Sequence, residues 1–201
     1  MKNFTLIKTT IPYNNAIPVD VSLFGGLDGK VINLNITGAK MPSIGGVIAG
    51  YVKNGSIENC FVEVTINSMT LKADGSQQNM QTNVNGGAFA YRLNSANAKL
   101  VNCISVVTIT VTDTANVGIL ETWYGAFVGR NSGTIDNCQS IVLSGHTLKP
   151  STSTSNNKAP NDNSKIYDSV SAFYDAVSES SYPGWVFDSN NELLPYIEII
   201  N

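Results

Sequence analysis

Glu58 and Asp136 are the carboxylates best placed for acid–base chemistry. Each directly precedes an asparagine in a similar local sequence, Ser56-Ile57-Glu58-Asn59-Cys60 and Thr134-Ile135-Asp136-Asn137-Cys138. Glycoside hydrolysis needs two carboxyl groups about 5–9.5 Å apart. Equivalent residues on adjacent strands lie about 4.8 Å apart. The row is broken, because Val101 and Ile32 hold the same place in two further copies. Two strand spacings then put the carboxylates about 10 Å apart, at or beyond the inverting limit, and both read as solvated turn residues. His146 is the only histidine, which excludes chemistry needing two imidazoles from one chain. Cys60, Cys103 and Cys138 form no CxxC pair, so no zinc site is expected. Their odd number argues against a complete disulfide framework. No histidine shares their register to activate a thiolate, and no calcium-loop spacing occurs. No catalytic residue, metal or cofactor is therefore assigned. The only arginines, Arg92 and Arg130, recur near one corner of the repeat with Tyr51, Tyr91 and Tyr124. They are the candidate binding surface, an aromatic strip beside two cations, although packing alone would also place tyrosines there.

These residues belong to an internal repeat, the feature that carries most information about the chain. Its copies are Gly45-Gly46-Val47-Ile48-Ala49-Gly50 through Cys60, Gly86-Gly87-Ala88-Phe89-Ala90-Tyr91 with Leu100-Val101-Asn102-Cys103, and Tyr124-Gly125-Ala126-Phe127-Val128-Gly129 through Cys138. A weaker copy runs from Leu23 to Leu34. Each has a glycine-bounded apolar stretch, a short turn, an inward aliphatic residue (Val31, Ile57, Leu100 or Ile135), then asparagine and a small apolar residue. An alternating strand follows, as in Phe61-Val62-Glu63-Val64-Thr65-Ile66. Gly50, Gly55, Gly129 and Gly133 are expected to supply positive φ or close approach at the corners. Asn33, Asn59, Asn102 and Asn137 are expected to stack in a bonded ladder, with Cys60, Cys103 and Cys138 lined up beside Leu34 in the interior. One unit cannot bury its apolar face alone, so the units must stack as a solenoid. The asparagines are 26, 43 and 35 residues apart. The longer gaps leave room for extra coil or loop in 67–84 and 110–124, and the Gln/Asn-rich 67–84 reads as a protruding loop.

The ends read differently. Residues 144–165 contain the low-complexity run Ser151-Thr152-Ser153-Thr154-Ser155 and are expected to form a flexible loop. Ile166, Val170, Phe173 and Val177 fall at helical spacing, predicting an amphipathic helix over 166–179. With the strands Trp185-Val186-Phe187 and Tyr196-Ile197-Glu198-Ile199-Ile200, that helix would cap the open end of the stack. The domain organisation expected is repeats over 1–143, the loop over 144–165 and a cap over 166–201, all within one domain. Phe4 to Ile11 reads as a starting strand, and the N-terminal edge as a junction for another domain, subunit or larger assembly.

Composition narrows the function. Of 201 residues only 13% are charged, about half the usual share. Twelve basic against fifteen acidic residues leave a net charge of −3, which offers no footprint for nucleic acid or an anionic membrane surface. Twenty-four asparagines favour turns and stacked strands over helices. No run approaches the roughly 18 apolar residues of a membrane span, and the first residues lack a signal-peptide core.

At the repeated glycine, asparagine and cysteine positions, over roughly residues 21–143, the sequence resembles the GLUG-motif repeats of bacterial surface proteins. The resemblance implies an all-β fold, a single-stranded right-handed parallel β-helix with a C-terminal cap containing a short helix. It implies a non-catalytic adhesion or spacer domain at the cell surface, part of a larger extracellular protein, that meets a protein or glycan ligand and needs no cofactor. Two alternatives stand beside it. One is a phage fibre or capsid decoration protein in a virion, for which assembly in the host cytoplasm would explain a missing export signal. The other is a β-helix enzyme acting on polysaccharide.

Overall fold

A computed structural model describes residues 5–7, 22–42, 44–67, 70–71, 77–78, 85–110, 124–143, 145–151, 158–177, 185–187 and 193–197. The sharpest bends fall on asparagine. Asn33, Asn59, Asn102 and Asn137 have φ of 57°, 51°, 52° and 48°, in the left-handed region that asparagine tolerates better than most residues with a Cβ. Each bend turns a backbone N–H toward the next turn of chain. Asn33 donates to the Glu58 carbonyl at 3.1 Å, Asn59 to Val101 at 3.0 Å and Asn102 to Asp136 at 3.1 Å. The residue after the bend then points inward, and Cys60, Cys103 and Cys138 are fully buried.

Of the two roles expected of the corner glycines, positive φ or close approach, the structure shows close approach. Among the described residues, positive-φ glycines are Gly38, Gly45 and Gly145. Gly55 and Gly133 instead permit close approach. A Cβ at Gly55 would collide with the Gly29 carbonyl oxygen, and one at Gly133 with the Ala98 carbonyl oxygen.

In chain order the first strands are β1 (Thr5–Ile7), β2 (Phe24–Leu27), β3 (Lys30–Ile32), β4 (Asn35–Pro42), β5 (Ile44–Gly46), β6 (Ala49–Val52), β7 (Ser56–Glu58) and β8 (Phe61–Asn67). Two short strands, β9 (Thr70–Leu71) and β10 (Gln77–Gln78), pair antiparallel within the insert expected to protrude. The next strands are β11 (Asn85–Gly87), β12 (Ala90–Leu93), β13 (Lys99–Val101), β14 (Ile104–Thr110), β15 (Tyr124–Asn131), β16 (Thr134–Asp136), β17 (Gln139–Leu143), β18 (Lys149–Ser151) and β19 (Lys165–Tyr167). Helix α1 (Val170–Ala176) and the antiparallel pair β20 (Trp185–Phe187) and β21 (Leu193–Ile197) complete the order.

These strands build three parallel sheets. One is ordered β1-β4-β8-β14-β17-β19, a second contains β3, β7, β13 and β16, and the third joins β2 to β6, β12, β15 and β18, with β5 and β11 extending it. Consecutive repeats therefore occupy neighbouring strands, with no further turn between them among the described residues. In the second sheet Val31, Ile57, Leu100 and Ile135 are in register. Ile57, Leu100 and Ile135 are fully buried, each contributing about 1.5–3 kcal/mol. Along β8 and β14, Val62, Val64, Ile66, Val107 and Ile109 alternate into the same core. Ser105 lies among them and keeps its hydroxyl satisfied by donating to Ser140 Oγ at 2.8 Å, as a buried polar group must be.

The C-terminal third departs from expectation in three ways. First, parts of 144–165 are built into the sheets. β18 pairs with β15, and β19 begins at Lys165. Residues 144 and 152–157 lie outside the described residues. The polar composition serves as edge bonding rather than as loop. Asn137 N–H donates to Asn163 Oδ1 at 3.0 Å, and Cys138 N–H to Ser164 Oγ at 3.0 Å. These side chains replace the carbonyls that a further turn would have supplied. Second, the helix is shorter than predicted. Ile166 belongs to β19, and α1 starts at Val170, capped by Ser169, whose hydroxyl accepts from Ala172 N–H. Third, α1 lies across the outer face of the first sheet. Phe173 and Val177 pack on Phe61, Ile104 and Ile141, residues of β8, β14 and β17. Seven helical residues span about 10 Å, or two strand spacings. β21 contacts β4, toward the opposite end of the first sheet from β19.

Two outcomes test this architecture. At Asn59, substitution by glycine should change stability by less than about 1 kcal/mol, whereas Asn59→Val should cost about 2 kcal/mol or more, because a β-branched residue is strained at positive φ. Urea denaturation of both variants distinguishes this from a bend held mainly by the side-chain amide, in which case both changes would cost alike. The interior thiols should stay unmodified by a thiol reagent in native protein and react together on unfolding. Burial first, then the neighbouring Cys138 and Cys60 thiols, push the Cys103 thiol well above its ordinary value, so raising the pH modestly should not expose it.

Candidate binding surface

The third sheet brings four of the five candidate surface residues together. Tyr51 is in register with Arg92, and Arg92 with Arg130, on consecutive strands. Gly26 precedes Tyr51 in the same row. All three side chains are half-buried, as expected of residues standing on the outside of a sheet. Tyr91 joins them from the neighbouring position, its ring centroid 5.3 Å from that of Tyr51 at an interplanar angle of 84°. This edge-to-face arrangement is the one aromatic quadrupoles prefer. Burial raises the Tyr51 phenol above its ordinary value and the Tyr91 phenol adds to this, while the charges of Arg92 and Arg130 pull it back. Both guanidiniums therefore lie within electrostatic reach of the phenol.

Tyr124 is the exception and corrects the expected surface. It is fully buried, and burial pushes its phenol far up. Its hydroxyl has no hydrogen-bond partner among the described residues. The reason is local. Tyr124 opens β15 beside Gly86, where a Cβ would collide with the tyrosine ring. The first glycine of the neighbouring repeat thus provides the space that holds the ring inside.

The two cations stand in an unusual relation. Side chains of like charge directly opposite one another on neighbouring strands destabilise a sheet. Two like charges held one strand spacing apart, about 5 Å, would repel by about 1–3 kcal/mol between bulk-water and surface dielectrics. Among the described residues neither arginine has an ion-pair partner, and the Nε atoms of both are buried without a hydrogen bond. Lys30 and Glu58 form an ion pair at 3.1 Å, but on the second sheet.

The carboxylates considered for hydrolysis are held apart. Val101 is in register with Glu58 on one side and Asp136 on the other, so two strand spacings, about 9.6 Å between Cα atoms, separate them. Each also has its own structural contacts. Glu58 accepts from Ser56 Oγ at 2.6 Å, and Asp136 Oδ1 accepts from Asn161 Nδ2 at 2.7 Å and Asn163 Nδ2 at 3.2 Å. His146 is half-buried beside β18. The cysteines face the core, each Sγ near the carbonyl of the residue two before it, as with Cys103 and Val101 at 3.2 Å. Of the asparagine row, a side-chain ladder bond joins Asn137 Nδ2 to Asn102 Oδ1 at 2.9 Å. Among the described residues no such bond joins Asn33 or Asn59 to its neighbour in the row, and the positive φ is what the four have in common. Asn161, Asn163 and Ser164 were not foreseen as partners. Their signal was present, since Asp162-Asn163-Ser164 echoes Asp136-Asn137-Cys138 and Asn163 follows Asn137 by 26 residues, the spacing of Asn33 and Asn59.

The Glu58 contacts give a pH signature. The Ser56 hydroxyl first, then Lys30, hold the Glu58 carboxyl below its ordinary value of 4.5 against a smaller opposing effect of burial. A carboxyl depressed by folding stabilises the native state above its unfolded value and loses that contribution as pH falls through its folded value. Glu58→Gln should therefore cost less than about 1 kcal/mol at neutral pH, as for other surface pairs, and nothing once the pH is well below 4.5. Paired urea titrations of wild type and variant at several pH values check this.

No protein-family model matches the chain, and no curated protein matches it. Among solved structures, it is similar to a crystal structure from Bacteroides ovatus provisionally described as an immunoglobulin A1 protease, at 14% sequence identity and a TM-score of 0.43, over 96% of this chain and 73% of that one.

Proposed function

We propose that the chain is a right-handed parallel β-helix of the GLUG-repeat kind that displays a binding surface outside the cell and has no catalytic activity of its own. The handedness follows from the general rule that parallel strands of one sheet are joined by right-handed crossovers in about 98% of cases. The observation that carries the binding reading is the outward row of Tyr51, Arg92 and Arg130 with Tyr91 beside it. Aromatic and arginine side chains dominate recognition surfaces because they bury large area and form directional charged hydrogen bonds. A row on a stack of strands is also held without the ordering cost a loop would incur. The carboxylates support the non-catalytic half of the reading. Glu58 and Asp136 are separated by an apolar residue and engaged by neighbours, whereas hydrolysis needs two groups converging on one bond.

The test is a binding panel of immobilised glycans and extracellular-matrix proteins run alongside a reducing-end assay for polysaccharide cleavage. Retention of the protein on one or more ligands without cleavage is the expected result. Cleavage by wild type that disappears in a Glu58→Gln, Asp136→Asn double variant would establish the enzymatic alternative instead.

A further inference from the structure

We propose that Arg92 and Arg130, with Tyr51 and Tyr91 beside them, form a site for the acid groups of an anionic polysaccharide; this rests on the binding function above and names its ligand class. The two guanidiniums occupy one row on adjacent strands, without a carboxylate partner among the described residues. The Nε of each guanidinium is enclosed, while each side chain as a whole keeps part of its surface exposed. A guanidinium binds a carboxylate or sulfate through two parallel hydrogen bonds. An acid group placed between them would relieve the repulsion of the free protein. The chain as a whole is acidic, with a net charge of −3, so these cations form a local feature rather than part of a basic field. The tyrosine pair supplies apolar ring surface directly beside the charges, which suits a sugar ring carrying an acid group.

Spacing separates a glycan from a peptide. The arginines are one strand spacing apart, about 4.8 Å, across the row. That is comparable to the length of one sugar unit. An extended acidic peptide presents carboxylates on one face about 6.6 Å apart, two residues along, and matches the pair less well.

The experiment measures binding of the full chain to polygalacturonate, alginate and hyaluronate, with a neutral glucan and poly-glutamate as comparison polymers. The expected result is binding to at least one acidic polysaccharide and none to the glucan or poly-glutamate. Affinity should fall about tenfold or more in the Arg92→Gln, Arg130→Gln double variant and should weaken with added salt. Arg92→Lys, Arg130→Lys keeps the charge but loses the planar fork, and should fall between the two. Thermal melting no lower than that of wild type secures the comparison, and loss of the like-charge pair should raise it in the Gln variant. Equal or tighter binding to poly-glutamate would overturn the glycan assignment in favour of an acidic peptide. Acidic-polysaccharide binding unaffected by the double Gln variant would remove the arginines from the site while leaving the surface-binding function intact. Absence of binding to all three acidic polymers would also overturn the proposal, whereas only cleavage would overturn the non-catalytic reading on which it rests.

Discussion

The bend at each corner asparagine must satisfy two demands at once. The backbone must pass through a left-handed conformation, which reverses the side-chain direction for the next residue. It must also leave its N–H aligned with a carbonyl of the following turn. Asparagine meets the first demand at lower cost than residues with larger or branched side chains, and the second follows when every turn has the same bend. Asn33, Asn59 and Asn102 donate along the stack at 3.0–3.1 Å. Because the bends align, Ile57, Leu100 and Ile135 fall in register one residue position before the carbonyls that receive these bonds, and the cysteines after the bends stack in the core. A shift of one residue at any bend would turn the apolar set outward. The strands of the other two sheets inherit their register from this constraint.

A stack of parallel strands has two edges, each with unpaired backbone groups. At the far edge the chain uses short polar side chains. Asn163 and Ser164 accept the N–H groups of Asn137 and Cys138, and Asn161 and Asn163 donate to Asp136. Asn163 does not itself adopt a left-handed φ. The helix solves a different problem. Phe61, Ile104 and Ile141 form an apolar strip on the outside of the first sheet, and α1 covers it with Phe173 and Val177.

The candidate site is a by-product of the same register. Parallel stacking puts one residue from each turn into a row, so any outward side chain acquires neighbours of the equivalent position. For most positions this row is mixed. At Tyr51, Arg92 and Arg130 it places two cations together beside an aromatic pair, and their mutual repulsion leaves them poised for an acidic partner.

The sequence alone determined the unit and its alignment. Glycine, aliphatic, asparagine and cysteine recur in one order, and a repeat that cannot bury its own face must stack on its neighbours, so the inward rows and the buried cysteines were legible from residue type and spacing. It also grouped Arg92, Arg130, Tyr51 and Tyr91 near one corner. Tertiary structure alone decided what depended on contacts between turns. Tyr124 lies near the surface tyrosines in the linear repeat, yet its register position is that of Gly45 and Gly86, and the missing Cβ of Gly86 on the adjacent strand lets its ring turn inside. The polar stretch before Lys165 has the composition of a loop, yet an unpaired edge makes its amides and hydroxyls the best available partners. Helical spacing began at Ile166, but pairing with Ser140 in β17 drew that residue into a strand and left the helix to start after Ser169. In each case local composition was ambiguous because the deciding group lay on another turn, dozens of residues away in the chain and one strand spacing away in space.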